Sequence, residues 1–253
     1  MSRTRTYALV FTLFAAAGRV LADTPTFDRP GIAFSTSTIP RGSFAVELGV
    51  PDFLHESDAG HTSTLVFLDT NVRTGLGKNI ELQLATPVFN YQKTKATGAS
   101  DSATGLGDSS LVLKAALPST FARFSWAGLA GVTFATGQDP FSAGRVLYSL
   151  ATAATLELSD TYSTGFYVNL NYSDGRTGYT LSPNLNFLLS DHLSAYVEAG
   201  YDHVPQSPDT NIAGGGLAWM VAPAVQLDLS VDFGLTRDSP DFQGGFGVSM
   251  FIK

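Results

Sequence analysis

From Ser43 to Phe251 the chain places apolar side chains at every second position, again and again. Phe44, Val46, Leu48 and Val50 are separated by Ala45, Glu47 and Gly49. Ile80, Leu82, Leu84, Thr86 and Val88 alternate with Glu81, Gln83, Ala85 and Pro87. Val225, Leu227, Leu229, Val231, Phe233 and Leu235 alternate with Gln226, Asp228, Ser230, Asp232 and Gly234. A side-chain period of two is that of a strand with one apolar and one polar face. The pattern predicts strands near 43–50, 62–76, 80–93, 106–118, 123–136, 144–158, 161–173, 177–189, 193–204, 210–221, 225–236 and 241–252. Most are about 11–15 residues long, enough to cross a bilayer when tilted.

The distribution of charge decides which face meets water. Followed along the apolar parity, these strands carry no Asp, Glu, Lys or Arg, and His203 is the one titratable imidazole there. Charges sit on the opposite parity, at Glu47, Asp69, Arg73, Glu81, Lys114, Glu157, Glu198, Asp228 and Asp232. A charge facing lipid at the bilayer midplane costs about 2–4 kcal/mol, so an apolar outside and a charged inside is the expected pattern of a membrane barrel. A soluble sandwich reverses it. Composition agrees: 44% of residues are hydrophobic and only 15% charged, against about 25% charged in ordinary soluble domains. Beyond the N-terminus no run of about 18 apolar residues could form a spanning helix. A closed barrel is the other backbone arrangement that satisfies its own hydrogen bonds in lipid.

The fold class expected is all-β, a transmembrane antiparallel up-and-down barrel of about 12 strands. Short turns (77–79, 119–122, 159–160, 190–192, 222–224) alternate with longer polar loops near 51–61, 94–105, 137–143, 174–176, 205–209 and 237–240. The short turns are read as periplasmic and the longer loops as extracellular; an even strand number places both termini in the periplasm. Outward aromatics gather at two levels. Trp126, Tyr162, Phe187 and Trp219 lie towards the turns, and Phe134, Tyr148, Tyr172, Tyr179, Tyr201 and Phe242 towards the loops. These are the expected interfacial girdles.

Arg3 and Arg5 precede an apolar run, Tyr7 to Gly18, and Val20-Leu21-Ala22 precedes Asp23. This reads as a secretory signal peptide over 1–22, in preference to a mitochondrial transit peptide. Residues 23–42 are then an N-terminal periplasmic segment and 43–253 the outer-membrane barrel.

Other function classes find little support. The net charge of −7 argues against nucleic acid, which needs clustered Lys and Arg. With no cysteine, disulfides and thiolate metal sites are excluded. His55-Glu56-Ser57-Asp58-Ala59-Gly60-His61 could offer ligands to a divalent metal, but a solvated loop is the favoured reading, so no metal is expected. His203 with Ser207 is a weak hydrolase signal, since nothing places them together with an orienting third group. Thr104-Gly105-Leu106-Gly107-Asp108 and Gly214-Gly215-Gly216 lack the Gly-Lys-Ser/Thr of a phosphate loop. No catalytic residues and no cofactor are expected.

The lumen remains. Its nine charged residues have an excess of acids, so anions are disfavoured and cations or neutral solutes tolerated. Arg73, Glu81 and Lys114 lie at turn-side levels of consecutive strands and could form one network. Leu65, Phe67, Phe89, Tyr91, Leu129 and Leu147 fall on the inward parity near the loops, an apolar vestibule or a packing surface for folded-in loops. The expected partners are outer-membrane lipids, a small-molecule solute and the barrel assembly machinery; the oligomeric state is undetermined. A plugged barrel without transport stands as the alternative to a passive channel, and an outer-membrane hydrolase behind both.

Several stretches carry a resemblance. Phe27-Asp28-Arg29-Pro30-Gly31, Phe34-Ser35-Thr36-Ser37, Pro40-Arg41-Gly42-Ser43 and Val50-Pro51-Asp52 resemble the N-terminus of a family of proteobacterial outer-membrane proteins labelled the transporter or meta-pathway of phenol degradation family. Thr104-Gly105-Leu106-Gly107-Asp108-Ser109 with Leu111–Ala115, Thr133–Gly137 with Asp139-Pro140, and Leu235 through Pro240-Asp241 to Val248-Ser249 resemble its later stretches. The resemblance implies a barrel that admits small, often aromatic or hydrophobic compounds, and brings no catalytic residues. Such barrels commonly finish on an aromatic assembly signal, whereas here Ile252-Lys253 follow Phe251.

Overall fold

The computed structural model describes residues 26–58, 60–96 and 98–253. The expected signal peptide lies outside the described residues. Thirteen strands form: β1 (Phe44–Asp58), β2 (His61–Gly75), β3 (Ile80–Ala96), β4 (Ala99–Gly105), β5 (Ser109–Leu117), β6 (Phe124–Phe134), β7 (Leu147–Glu157), β8 (Tyr162–Ser173), β9 (Arg176–Ser190), β10 (Leu193–His203), β11 (Thr210–Ala222), β12 (Val225–Gly234) and β13 (Phe242–Ile252). Sequence neighbours pair antiparallel except β4 and β5, which both pair with β3, and β13 returns to β1 from Phe44↔Ile252 to His55↔Phe242. The ring is a closed barrel of 12 strand positions, because β4 and β5 share one of them. β3 pairs with β5 at Ile80–Ala85 and with β4 at Asn90–Ala96. Closure leaves no unpaired edge in the hydrocarbon.

The break between β4 and β5 has a local cause. It faces Pro87, which has no N–H to donate to a ladder. Gly107 N donates instead to the Pro87 carbonyl at 2.9 Å. The register of β3 against β2 shifts here, with Leu68 opposite Phe89 and Asp69 opposite Pro87, so Val88 is bulged out. A bulge of one residue exchanges the two faces of a strand. Asn90 and Gln92 therefore stand opposite inward Phe67 and Leu65, and Phe89 and Tyr91 turn to the outside. The vestibule expected from those two aromatics is corrected accordingly. A second irregularity, between Gly49 and Asp52, lies where β1 crosses Val50-Pro51.

Two stretches expected as loops are strand. β1 and β2 continue to Asp58↔His61, and β3 and β4 to Ala96↔Ala99. Here Glu56, Ser57, Asp58, Lys93, Thr94 and Lys95 are all exposed. Where both faces meet water there is no apolar period to read, yet the backbone ladder runs on.

The outside of the barrel is apolar. Leu84, Leu113, Leu150, Phe166, Leu170, Val197, Leu229 and Phe246 are among its exposed large side chains. Trp126, Tyr162 and Trp219 towards the turns, and Phe134, Tyr148, Tyr172 and Phe242 towards the loops, are exposed as well. Trp126 Nε1 donates to the Pro118 carbonyl at 3.1 Å, the indole geometry suited to a headgroup boundary. Buried polar and charged side chains, conversely, outnumber buried apolar ones. What fills the inside is polar.

Candidate functional site

Glu47 on β1, Arg73 on β2, Glu81 on β3 and Lys114 on β5 occupy adjacent turn-side positions, and each is at most 1% exposed. Arg73 donates through Nε and Nη2 to the two Glu81 oxygens at 2.9 and 3.1 Å and through Nη1 to Glu47 at 2.6 Å. Lys114 Nζ stands 3.6 Å from Glu81. Placing a guanidinium between two carboxylates offsets a desolvation penalty that an unpaired buried charge could not meet.

The network is completed by residues 26–42, which pack inside the ring. Glu47 accepts the backbone N–H groups of Asp28 and Arg29 at 3.0 and 2.8 Å. Glu81 accepts that of Ile39 at 2.6 Å, and Glu198 on β10 that of Ile32 at 2.9 Å. The Asp28 carboxylate takes Lys114 Nζ at 2.7 Å and Gln83 Nε2 at 2.9 Å, with Arg73 at 3.3 Å. Burial works to raise the Asp28 carboxyl, but Arg73 and Lys114 beside it hold it below its usual range. Arg29 forms a bidentate pair with Asp52 at 2.9 and 2.9 Å and reaches Asp228 at 3.3 Å. Gly31, at φ +105°, makes the turn between these anchors, and a Cβ there would come within 3.3 Å of both Glu198 and Tyr196. Phe34 meets Tyr167 of β8 edge to face at 5.7 Å, under Lys114 Nζ at 5.2 Å. Phe27 and Ile39 pack with Ala45 and Phe251.

The segment leans on one wall. Its cations and carboxylates engage β1, β2, β3, β5 and β12. The opposite wall, β6 to β11, presents mostly small or amide side chains such as Ala153, Asn184 and Asn186, with the carboxylates Glu157 and Glu198 among them, and between it and the segment lies a cavity of 380 Å³. A second cavity of 630 Å³ opens towards the loops, lined by Leu65, Asp69, Asn90, Gln92 and Phe141 among others. It is roofed by the loop after β6. Asp108 accepts the N–H groups of Gly137 and Ala143 at 2.9 and 2.8 Å, which together hold its carboxyl below the usual range against partial burial. Gln138 N donates to the Leu106 carbonyl at 2.9 Å.

Of the other residues singled out in the sequence, Glu198, Asp228 and Asp232 are buried at 7%, 5% and 5% exposure. Asp69 is half-buried on the same face, and Glu157 is exposed at the end of β7. Among the described residues, Asp69, Glu198 and Asp232 form no ion pair, so the interior is acidic beyond what Arg29, Arg73 and Lys114 offset. Asp28, Arg29 and Asp52 escaped the sequence reading of the lumen. For Arg29 the signal that could have found it is the surplus of lumen acids over bases, which calls for a cation from outside the strands.

His203 bonds Asp209 at 2.7 Å, beside Tyr201, whose hydroxyl donates to the other Asp209 oxygen at 2.6 Å. The hydroxyl of Ser207 makes no bond to His203 among the described residues. His55 stacks on Phe242 at 5.0 Å and bonds Thr64, while His61 pairs with Asp58 across the hairpin, so the two imidazoles of that stretch do not converge.

The family model described as "Putative MetA-pathway of phenol degradation" matches residues 27–251. The chain belongs to this family. Its N-terminal stretches are the lumenal segment with its receiving residues, and Asp108 and Gly137 join two of its later stretches. No curated protein matches the chain in sequence. Among solved structures, an outer membrane channel from Pseudomonas putida superposes with a TM-score of 0.67 at 12% identity, over 88% of this chain and 99% of that one. The translocator domain of the autotransporter NalP from Neisseria meningitidis gives 0.47 at 11% identity, over 83% and 88%. The β domain of the Bordetella autotransporter BrkA gives 0.49 at 11%, over 83% and 98%. The first likeness is one of fold. With the apolar outer surface, it makes this family member an outer-membrane β-barrel.

Proposed function

We propose that the barrel is a channel for passive uptake of small neutral or cationic molecules, hydrophobic and aromatic ones included. One observation carries the reading: the N-terminal segment packs against the side of the lumen that holds Arg73 and Lys114 and leaves 380 Å³ open against a wall of mostly small and amide side chains, on which Glu157 and Glu198 are the charged groups lining the cavity. A barrel built only as a structural plug gains nothing from that space, since unfilled volume forfeits packing contacts. A solute path would run from the loop-side cavity past Phe34 and Tyr167, along Asn184 and Asn186, to the turn side. The surplus lumen carboxylates would repel anions. Family membership supports the solute class, since the family's description concerns phenol degradation.

The second reading, an interaction barrel without transport, is favoured by the buried ion pairs that tie the segment in place. Swelling of proteoliposomes separates the two. Arabinose should enter without an energy source and faster than gluconate. Vesicles whose barrel is inserted and folded yet admit neither solute would support the plugged barrel and dispose of the channel.

A further inference from the structure

A third cavity, of 300 Å³, lies between the Arg29–Ile32 turn and β1, β2, β12 and β13. Three carboxylates line it, Asp52, Asp69 and Asp232, with Leu54 and Phe67 from the wall and Ile32 from the segment. Its one cation is Arg29, whose terminal nitrogens are already given to Asp52 and Asp228. Asp69 carries no ion pair among the described residues. Asp232 is 5% exposed, receives only a 3.5 Å contact from Gln243 on one oxygen, and has no hydrogen-bond partner for the other. A buried carboxylate with an unsatisfied oxygen costs far more than a paired one. The site therefore holds negative charge in excess of its own counter-charge, next to apolar side chains.

We propose that this cavity binds a small organic ammonium ion, its charged head between Asp69 and Asp232 and its apolar body against Leu54 and Phe67. A bare metal ion suits the site less well, because among the described residues no three acidic or imidazole groups converge to hold one. An ammonium on a hydrocarbon or aromatic stem spans separated carboxylates and uses the apolar wall as well. The proposal deepens the channel reading by naming a cargo class, and it rests on that reading for access from outside. Binding itself can be measured without transport.

The full chain in lipid nanodiscs is titrated calorimetrically with phenethylammonium, and with 2-phenylethanol as the uncharged analogue that reports partition into the lipid. Phenethylammonium should bind saturably, at least tenfold more tightly than the alcohol. Asp232→Asn or Asp69→Asn should each weaken it about tenfold, and the pair together should abolish saturation. The replacements keep side-chain volume, and folding is read from heat-modifiable gel migration. If the double variant does not assemble, either single variant decides. Equal behaviour of amine and alcohol, or native affinity in a folded variant, overturns the site. Arabinose swelling is run alongside. Entry of arabinose without saturable amine binding sinks this proposal and leaves the channel. Amine binding to a barrel impermeable to arabinose supports the site and removes the channel.

Discussion

Replacing Arg73 by Met tests whether the lumenal segment is held by charge. The guanidinium is fully buried and makes four polar contacts that matter: two to Glu81, one to Glu47 and one, at 3.3 Å, to Asp28. Without it, Asp28 and Glu81 share Lys114, and Glu47 loses its ion-pair partner among the described residues. Removing one partner of a buried ion pair costs about 3–5 kcal/mol, because the other charge stays desolvated. The barrel can shed that cost without unfolding. Its closed ladder of backbone hydrogen bonds does not involve Arg73's side chain, whereas expulsion of residues 26–42 removes Asp28 and lets water reach Glu47 and Glu81. At about 1.4 kcal/mol per tenfold, even 3 kcal/mol moves the held-to-released ratio by more than a hundredfold. A cysteine placed at Ile39, fully buried against Ala45 and Phe251, reads this out: a membrane-impermeant maleimide should label it slowly in the native background and over a hundredfold faster with Arg73→Met. Single-channel conductance should rise in parallel. Unchanged labelling and conductance in a folded Arg73→Met barrel would refute the reasoning.

Other outcomes follow from the same contacts. Phe34→Ala removes the edge contact with Tyr167 and the ring under Lys114; arabinose swelling should quicken severalfold while labelling of a cysteine at the buried Ile39 stays slow. Since Asp28's carboxyl is held below its ordinary range, its contribution is complete above the unfolded value of about 4 and is lost as pH falls through the folded value. Labelling at position 39 with an acid-tolerant thiol reagent should accordingly stay slow down to about pH 4 and accelerate below it; a flat profile down to pH 2 would contradict this. Leu113, exposed near the middle of β5, should tolerate Arg poorly, with about 2–4 kcal/mol lost in denaturant unfolding from vesicles.

How much of this was legible in the sequence depends on what lipid enforces. Where a strand crosses hydrocarbon, each outward position must be apolar, so alternation and charge parity locate the spans and the lumen residues. Beyond the hydrocarbon, at Glu56–Asp58 and Lys93–Lys95, the constraint vanishes and strands read as loops. Bulges defeat parity in another way. Val88 adds one residue without changing composition, and Phe89 and Tyr91 change sides. The Arg73, Glu81 and Lys114 network was visible because three neighbouring strand positions, β2, β3 and β5, put those charges at one level. The lumenal segment was not, because residues 26–42 have no period and take their shape from partners up to 199 residues away. Their meaning lies in contacts that only the closed ring creates.

In the proposed channel, solute passes beside a lumenal segment through an acidic barrel. The most direct test is planar-bilayer recording of the native protein under a KCl gradient. Small, discrete conductance steps are expected, with a reversal potential displaced towards that of potassium. An inserted barrel without conductance, or one whose reversal potential favours chloride, would contradict the proposal.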